Sequence, residues 1–169
     1  AVTQHDPALL SAALAGAEQV TCLEQNRGAC ERIMANAERN GLQDKIKVER
    51  VDCMKDMRAR AERGDRYDVV IVDPPAFARS KKEVAGAERG YVELNRRAFD
   101  LVPEGGAVVS ASCSYNVSPR DFVEYIGKAA SIAGRHVWME ELAKASSDHP
   151  HLVTLPETDY LKCAFLRVH

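Results

Sequence analysis

The segment from Tyr67 to Pro75, YDVVIVDPP, constrains the fold more than any other part of the chain. Val69 to Val72 are consecutive β-prone apolar residues. Such a run reads as a strand buried on both faces, the usual state of a strand inside a parallel sheet. Asp73-Pro74-Pro75 then stops it, because two prolines remove two N–H donors and stiffen the turn.

The rest of the chain reads as strands alternating with helices. Asp6-Pro7 has the form of an N-cap followed by proline at the first helical position. Leu9, Leu10, Ala13, Leu14 and Ala17 then follow a helical period, and Gly16 closes the helix. Gln19 to Glu24 predicts a short strand. Asn26 can cap a second helix with Ala29, Ile33, Met34 and Ala37 on one face and Asn40-Gly41 as its stop. Ile46 to Val51 alternates like a half-buried strand, and a charged helix over Met54 to Arg63 ends at Gly64. A polar loop, Ala76 to Val84, leads to a helix reaching Val102, and Pro103-Glu104-Gly105-Gly106 makes a turn. Ala107 to Ser112 is another apolar strand, Ser118-Pro119 opens a helix, and His136 to Leu142 and Tyr160 to Val168 are the last expected strands. This alternation predicts a Rossmann-like α/β sheet, mostly parallel, in one domain.

Composition agrees. The 169 residues carry 46% hydrophobic and 28% charged side chains, enough for a core and unlike a disordered chain. Lys+Arg 23 against Asp+Glu 25 gives a net charge of −2, which excludes a uniformly basic binder but not a local basic patch. Charges interrupt every apolar run, and AVTQHDPALL lacks a signal-type core, so neither a membrane protein nor a secreted one is expected. Cysteines 22, 30, 53, 113 and 163 are odd in number and lack C-x-x-C spacing. Free thiols, no metal and a cytoplasmic location are the simplest expectation. The sequence begins at Ala1 without Met, which raises the expectation of a fragment.

In such sheets ligands sit beyond the carboxyl ends of the strands. Glu24 ends its strand and can accept both hydrogen bonds of a ribose diol, or it is simply a solvated acid. Asp52 follows IKVERV, where an acceptor can take an exocyclic amine, cap the next helix, or do both. Cys53 beside it can touch a cofactor. At Asp73-Pro74-Pro75 an acid stands next to rigid carbonyls, a combination that can grip the polar edge of a nucleobase or a transferring amine. It can also be a plain strand-stopping turn. Cys113 ends AVVSAS on the same rim as Asp73. Its alternatives are a buried small hydrophobe and a nucleophile in polar surroundings made by Ser112 and Ser114. Cys22, Cys30 and Cys163 lack that context and read as packing residues. From Arg79 to Arg97 the chain carries six basic residues and three acidic ones, 6 − 3 or +3. Arg79, Lys81 and Lys82 could hold phosphates of a nucleic acid there, or the run is a solvated helix face with pairs such as Glu93–Arg97.

DPPAFARSK with GYVELN, then EGGAVVSASCS and DHPHLVTLPETDYLKCAFLRV, resemble the methyltransferase domain of the S-adenosylmethionine-dependent ribosomal RNA cytosine carbon-5 methyltransferases that carry a PUA domain. The resemblance spans nearly the whole chain. It implies a class I methyltransferase fold with a mostly parallel sheet and an antiparallel last strand. It also implies S-adenosylmethionine as cofactor and RNA, ribosomal in kind, as partner, with a homodimer as a further candidate assembly. By the same resemblance, Cys113 is the nucleophile, Asp73 and the Pro74 carbonyl hold the cytosine edge, and Glu24 and Asp52 contact the cofactor's ribose and adenine. The family places a first strand and a Gly-rich loop just before the helix at Asp6. Here Thr3-Gln4-His5-Asp6-Pro7 stands in that place, so an N-terminally truncated methyltransferase domain is expected, without that strand, that loop or the PUA domain.

Two other readings remain open at this point. One is an amine methyltransferase acting on adenine, guanine or a protein side chain. Such enzymes place an aromatic directly after the second proline, whereas Phe77 comes two residues after Pro75. The other is a non-catalytic, methyltransferase-like RNA-binding domain.

Overall fold

The computed structural model describes residues 2–3, 6–78 and 80–169, without the side chains of Val2, Thr3, Asp6, Pro7 and Lys81. Among these residues the elements run β1 (Val2–Thr3), α1 (Asp6–Leu14), β2 (Val20–Glu24), α2 (Arg27–Arg39), β3 (Ile46–Arg50), α3 (Cys53–Arg63), β4 (Val69–Asp73), α4 (Val84–Asp100), β5 (Ala107–Ser112), α5 (Pro119–Ala133), β6 (Val137–Ala143) and β7 (Lys162–Val168). The helix boundaries follow local chemistry. Asn26 and Asp52 accept the Ala29 and Lys55 N–H groups at 3.0 and 3.1 Å. Ser118 and Asp121 form a reciprocal capping box at the start of α5. Gly64 ends α3 in the left-handed conformation, φ 83°, which a β-carbon would disfavour.

β1, β4 and β5 pair in parallel, and β7 then runs antiparallel to both β5 and β6, giving the order β1-β4-β5-β7-β6. β2 and β3 form a parallel pair, and β2 packs beside β1. The chain therefore proceeds outward through β2 and β3 on one side of β1, then returns to β4 and β5 on the other. Such a reversal opens a crevice at the strands' carboxyl ends. The Rossmann-like α/β class and the antiparallel last strand are as expected.

Helices cover both faces. Leu9 and Ala13 of α1 and Ile33 and Ala37 of α2 pack on Val20 and Cys22 of β2 and Ile46 of β3. On the other face Met57 of α3, Tyr91 and Phe99 of α4 and Phe122 of α5 pack on β4, β5 and β7. No helix among the described residues is long and apolar enough to cross a membrane.

Two expectations need correcting. The strand buried at every position is β2, not β4. α1 and α2 lie on one face of β2 and α3 on the other, whereas β4 buries Val70 and Val72 and leaves Val69 49% exposed. Second, a first strand is not wholly missing, because Val2–Thr3 pair with Val72–Asp73. Gln4 and His5, on which the comparison with a Gly-rich loop rests, lie outside the described residues.

Arg60 anchors α3 from inside. It bonds Glu49 of β3 at 2.7 Å and also holds Asp56 and the Tyr67 hydroxyl. The N-terminus of α3, with Asp52 and Cys53, is thereby fixed over the carboxyl end of β2.

Candidate active site

A cleft of about 200 Å³ lies at the strand reversal, and Glu24, Asp52, Cys53, Asp73 and Pro74 all line it. Glu24 is 4% exposed, which removes the reading of a solvated acid. A carboxylate is held in such a place only with partners. One oxygen accepts the Asn26 N–H at 2.7 Å, the bond that turns the chain from β2 into α2. Asp52 makes the cap of α3 and also borders the cleft, where its carboxylate is placed to act as an acceptor. The Cys53 thiol donates to the Leu23 carbonyl at 3.0 Å. Burial, with Glu24 adding to it, pushes that thiol up to about 11, so it is a neutral wall of the cleft.

The residues present fit a nucleoside. A buried carboxylate at the end of β2 suits a diol, an acidic cap suits an amine, and Met54, Phe77 and Leu94 provide apolar surface for a ring.

Cys113 follows β5 directly, and its Sγ lies 3.9 Å from the Pro74 carbonyl oxygen. The thiol thus sits against the Asp73-Pro74-Pro75 corner, and Cys113 is not one of the residues that line the cleft. Burial first, and then the Asp73 carboxylate, push this thiol above its ordinary range. Its own backbone hydrogen bond and the Lys162 ammonium oppose that shift.

The flanking serines do not form polar surroundings for the thiol. Alternate residues of a strand point to opposite faces, and Ser112 and Ser114 are buried facing α4. There the Tyr91 hydroxyl donates to Ser112 Oγ at 2.8 Å and lies 3.1 Å from Ser114 Oγ. Ser114 Oγ also accepts the Ala78 N–H at 3.4 Å, and Asn116 Nδ2 donates to the Ala78 carbonyl at 3.3 Å. These bonds clamp the Cys113 turn to the loop leaving the prolines. Phe77 packs edge-on against Tyr91, with centroids 4.9 Å apart. Gly90 permits this, since a β-carbon there would come within 3.3 Å of the Phe77 ring.

Lys162 is 4% exposed and donates from Nζ to the Ser114 and Val117 carbonyls, both at 2.7 Å. Burial pushes its ammonium down to about 8, while Cys113 and then Asp159 push back. Sequence reasoning missed Tyr91 and Lys162 as site residues and placed Ser112 and Ser114 around the thiol rather than on Tyr91. Lys162 looks like an ordinary strand residue, and only GYVELN hinted at Tyr91.

The basic run divides in two. Arg96 and Arg97 pair with Glu93, and Arg96 also with Asp100, so their charge is spent on α4 itself. Those pairs hold the Glu93 carboxyl down at about 2. Lys82 is exposed on the short 3-10 turn Lys81–Glu83. Arg79, and the side chain of Lys81, lie outside the described residues.

Sheet order, antiparallel β7 and the cleft at the switch point together define the fold of a class I methyltransferase. Residues 9–90 match the family described as Conserved hypothetical protein 95. The chain is 38% identical over 153 residues to Ribosomal RNA large subunit methyltransferase I of Aeromonas hydrophila, covering 90% of this chain and 38% of that protein. It is 36% identical over 160 residues to the protein of the same name from Klebsiella pneumoniae, covering 94% and 40%. The chain thus spans about 40% of the length of the curated relatives it matches. Among solved structures it superposes on SMU.776, a proposed methyltransferase complexed with SAH, with a TM-score of 0.81, 23% identity and coverage of 94% and 41%. A SAM-dependent methyltransferase from Agrobacterium tumefaciens gives a TM-score of 0.62 at 20% identity, covering 96% and 52%.

Proposed function

We propose that this chain is the methyltransferase domain of an S-adenosylmethionine-dependent enzyme that methylates carbon 5 of a cytosine in ribosomal RNA through a covalent Cys113 adduct. The observation that carries this reading is the Cys113 thiol, 3.9 Å from the Pro74 carbonyl on the Asp73 rim. The relatives named as ribosomal RNA methyltransferases supply the substrate class.

Carbon 5 of cytosine is a poor nucleophile. Addition of the Cys113 thiolate to carbon 6 converts the ring into an enamine, in which carbon 5 is electron-rich. Bound S-adenosylmethionine supplies an electrophilic methyl group. Once carbon 5 has taken that methyl group, with S-adenosylhomocysteine as the leaving group, loss of the carbon-5 proton to solvent expels the Cys113 thiolate and restores the ring double bond. Asp73, carrying a proton when the base is bound, donates it to the ring nitrogen and so makes carbon 6 more electrophilic, while the Pro74 carbonyl accepts the exocyclic amine. The base must leave any stacked helix to reach this corner. Lys82, with Arg79 and Lys81, holds phosphates near the site.

The test is a covalent trap. RNA with 5-fluorocytosine at the target forms a lasting adduct with cofactor present, because fluorine cannot leave as the proton does. The adduct maps to the Cys113 peptide by mass spectrometry. An adduct on Cys53 instead would overturn the choice of thiol.

A second expectation concerns the cofactor. Glu24→Gln keeps an oxygen for the Asn26 N–H and loses the charge aimed at the diol. A hydrogen bond to a charged group is worth ~1.5–3 kcal/mol, roughly a ten- to hundredfold weakening of affinity. Calorimetry with S-adenosylhomocysteine measures it, and unchanged affinity would remove Glu24 from the site.

A further inference from the structure

We propose that Lys162 is the positioning cation of the nucleophile: its ammonium holds the turn from Cys113 to Ser118 in place and stabilises negative charge on the Cys113 sulfur. The inference deepens the reading above and rests on it for the reaction, though not for the effect on the thiol.

Three observations carry it. The first is burial without an acid. Lys162 is 4% exposed and makes no ion pair among the described residues. Asp159, the acid before β7 that acts on it, is held by Lys144 at 2.6 Å. Its bonded partners are two neutral carbonyls, of Ser114 and Val117. An ammonium has three donors, and no described residue takes the third. A buried cation satisfied only by carbonyls is costly, and an apolar side chain of similar length would fill the space more cheaply. Retaining a lysine here therefore calls for a use of its charge.

The second is placement. Lys162 is paired in register with Ser112, one residue before the nucleophile. Both carbonyls it grips lie in the turn between Cys113 and the Ser118 cap, so the sulfur's position depends on the lysine.

The third is electrostatic balance. Among the described residues, the groups acting on the thiol are Asp73 from β4, Lys162 from β7 and the backbone of the turn. Tyr91 of α4 also faces this cluster, bonded to Ser112 and Ser114. Burial and Asp73 both disfavour the thiolate, and Lys162 is the only cation acting on it among the described residues. When the thiol releases its proton to solvent, the ammonium favours the thiolate against burial and Asp73, which hold the thiol above its ordinary range. It offers the same support when the thiolate is expelled at the end of the cycle.

The experiment reads the thiol directly and needs neither RNA nor cofactor. Iodoacetamide alkylation of Cys113 is followed across a pH series by mass spectrometry of its peptide. A nearby opposite charge lowers the pKa of an acid such as a thiol. Lys162→Met should therefore raise the midpoint and slow alkylation of Cys113 below it. Lys162→Arg, which keeps the charge, should stay close to wild type. A folded Lys162→Met protein with an unchanged midpoint overturns the proposal, since a structural brace alone would not move the midpoint.

If Lys162→Met does not fold, the wild-type protein decides. Anionic iodoacetate should lose its rate relative to neutral iodoacetamide as the pH passes about 8, where Lys162 gives up its proton. A ratio that stays flat through that pH overturns the proposal. A shifted alkylation midpoint with no 5-fluorocytosine adduct would leave the role of Lys162 standing and sink the cytosine reading, so the two failures are distinct.

Discussion

Cys113→Ala is expected to abolish methyl transfer to RNA while the protein still folds and still binds cofactor. Removing the nucleophile forces a direct attack by an unactivated carbon 5, and losses of roughly 10³-fold or more are normal when a covalent route is closed. Folding should change little. The thiol is only partly buried, and its recorded contact is the Pro74 carbonyl at 3.9 Å, so a cost of ~1 kcal/mol or less is expected. Cofactor binding should persist because Glu24, Asp52 and Cys53 line a cleft that Cys113 does not. The measurements are transfer of a labelled methyl group, a thermal melt and calorimetry with S-adenosylhomocysteine. Full methylation by Cys113→Ala would reject the covalent route and promote an amine methyltransferase, whose chemistry needs no thiol.

Asp73→Asn separates the reactivity of the thiol from turnover. An amide cannot assist the ring nitrogen as the acid does, so kcat should fall by about 10²–10⁴-fold, the usual contribution of a positioned acid or base. The free thiol should respond in the opposite sense. The Asp73 carboxylate raises the Cys113 pKa. Removing its charge lowers that pKa, and more thiolate is present at neutral pH. Alkylation of Cys113 should therefore become faster while methylation becomes slower. Falling alkylation together with falling methylation would point to a misplaced turn, and normal methylation would take Asp73 out of the chemistry.

Much of the fold was legible in the residues. Asn26, Asp52, Asp6-Pro7 and Ser118-Pro119 announced where helices begin, and Asn40-Gly41, Gly64 and Pro103 to Gly106 where elements stop. These signals act within a few residues, so they survive in a linear reading. The burial of β2 was harder to see. QVTCLE carries Thr21 and Glu24, and its complete burial comes from helices packed on both of its faces.

For the site, the sequence determined by itself which residues stand at strand ends: Glu24, Asp52, Asp73, Pro74 and Cys113. Strand length and the prolines settle that locally. Only the tertiary structure decided what those residues meet. The contact of Cys113 with Pro74 joins positions 39 apart, the Ala78–Ser114 bond positions 36 apart, and the Lys162–Ser114 bond positions 48 apart. Such pairings follow from which strands become neighbours and in what register. That choice depends on the burial of the whole sheet and is written in no single segment. A lysine in an apolar strand therefore reads as a surface residue until β7 is laid antiparallel against β5, where the register places it beside the nucleophile.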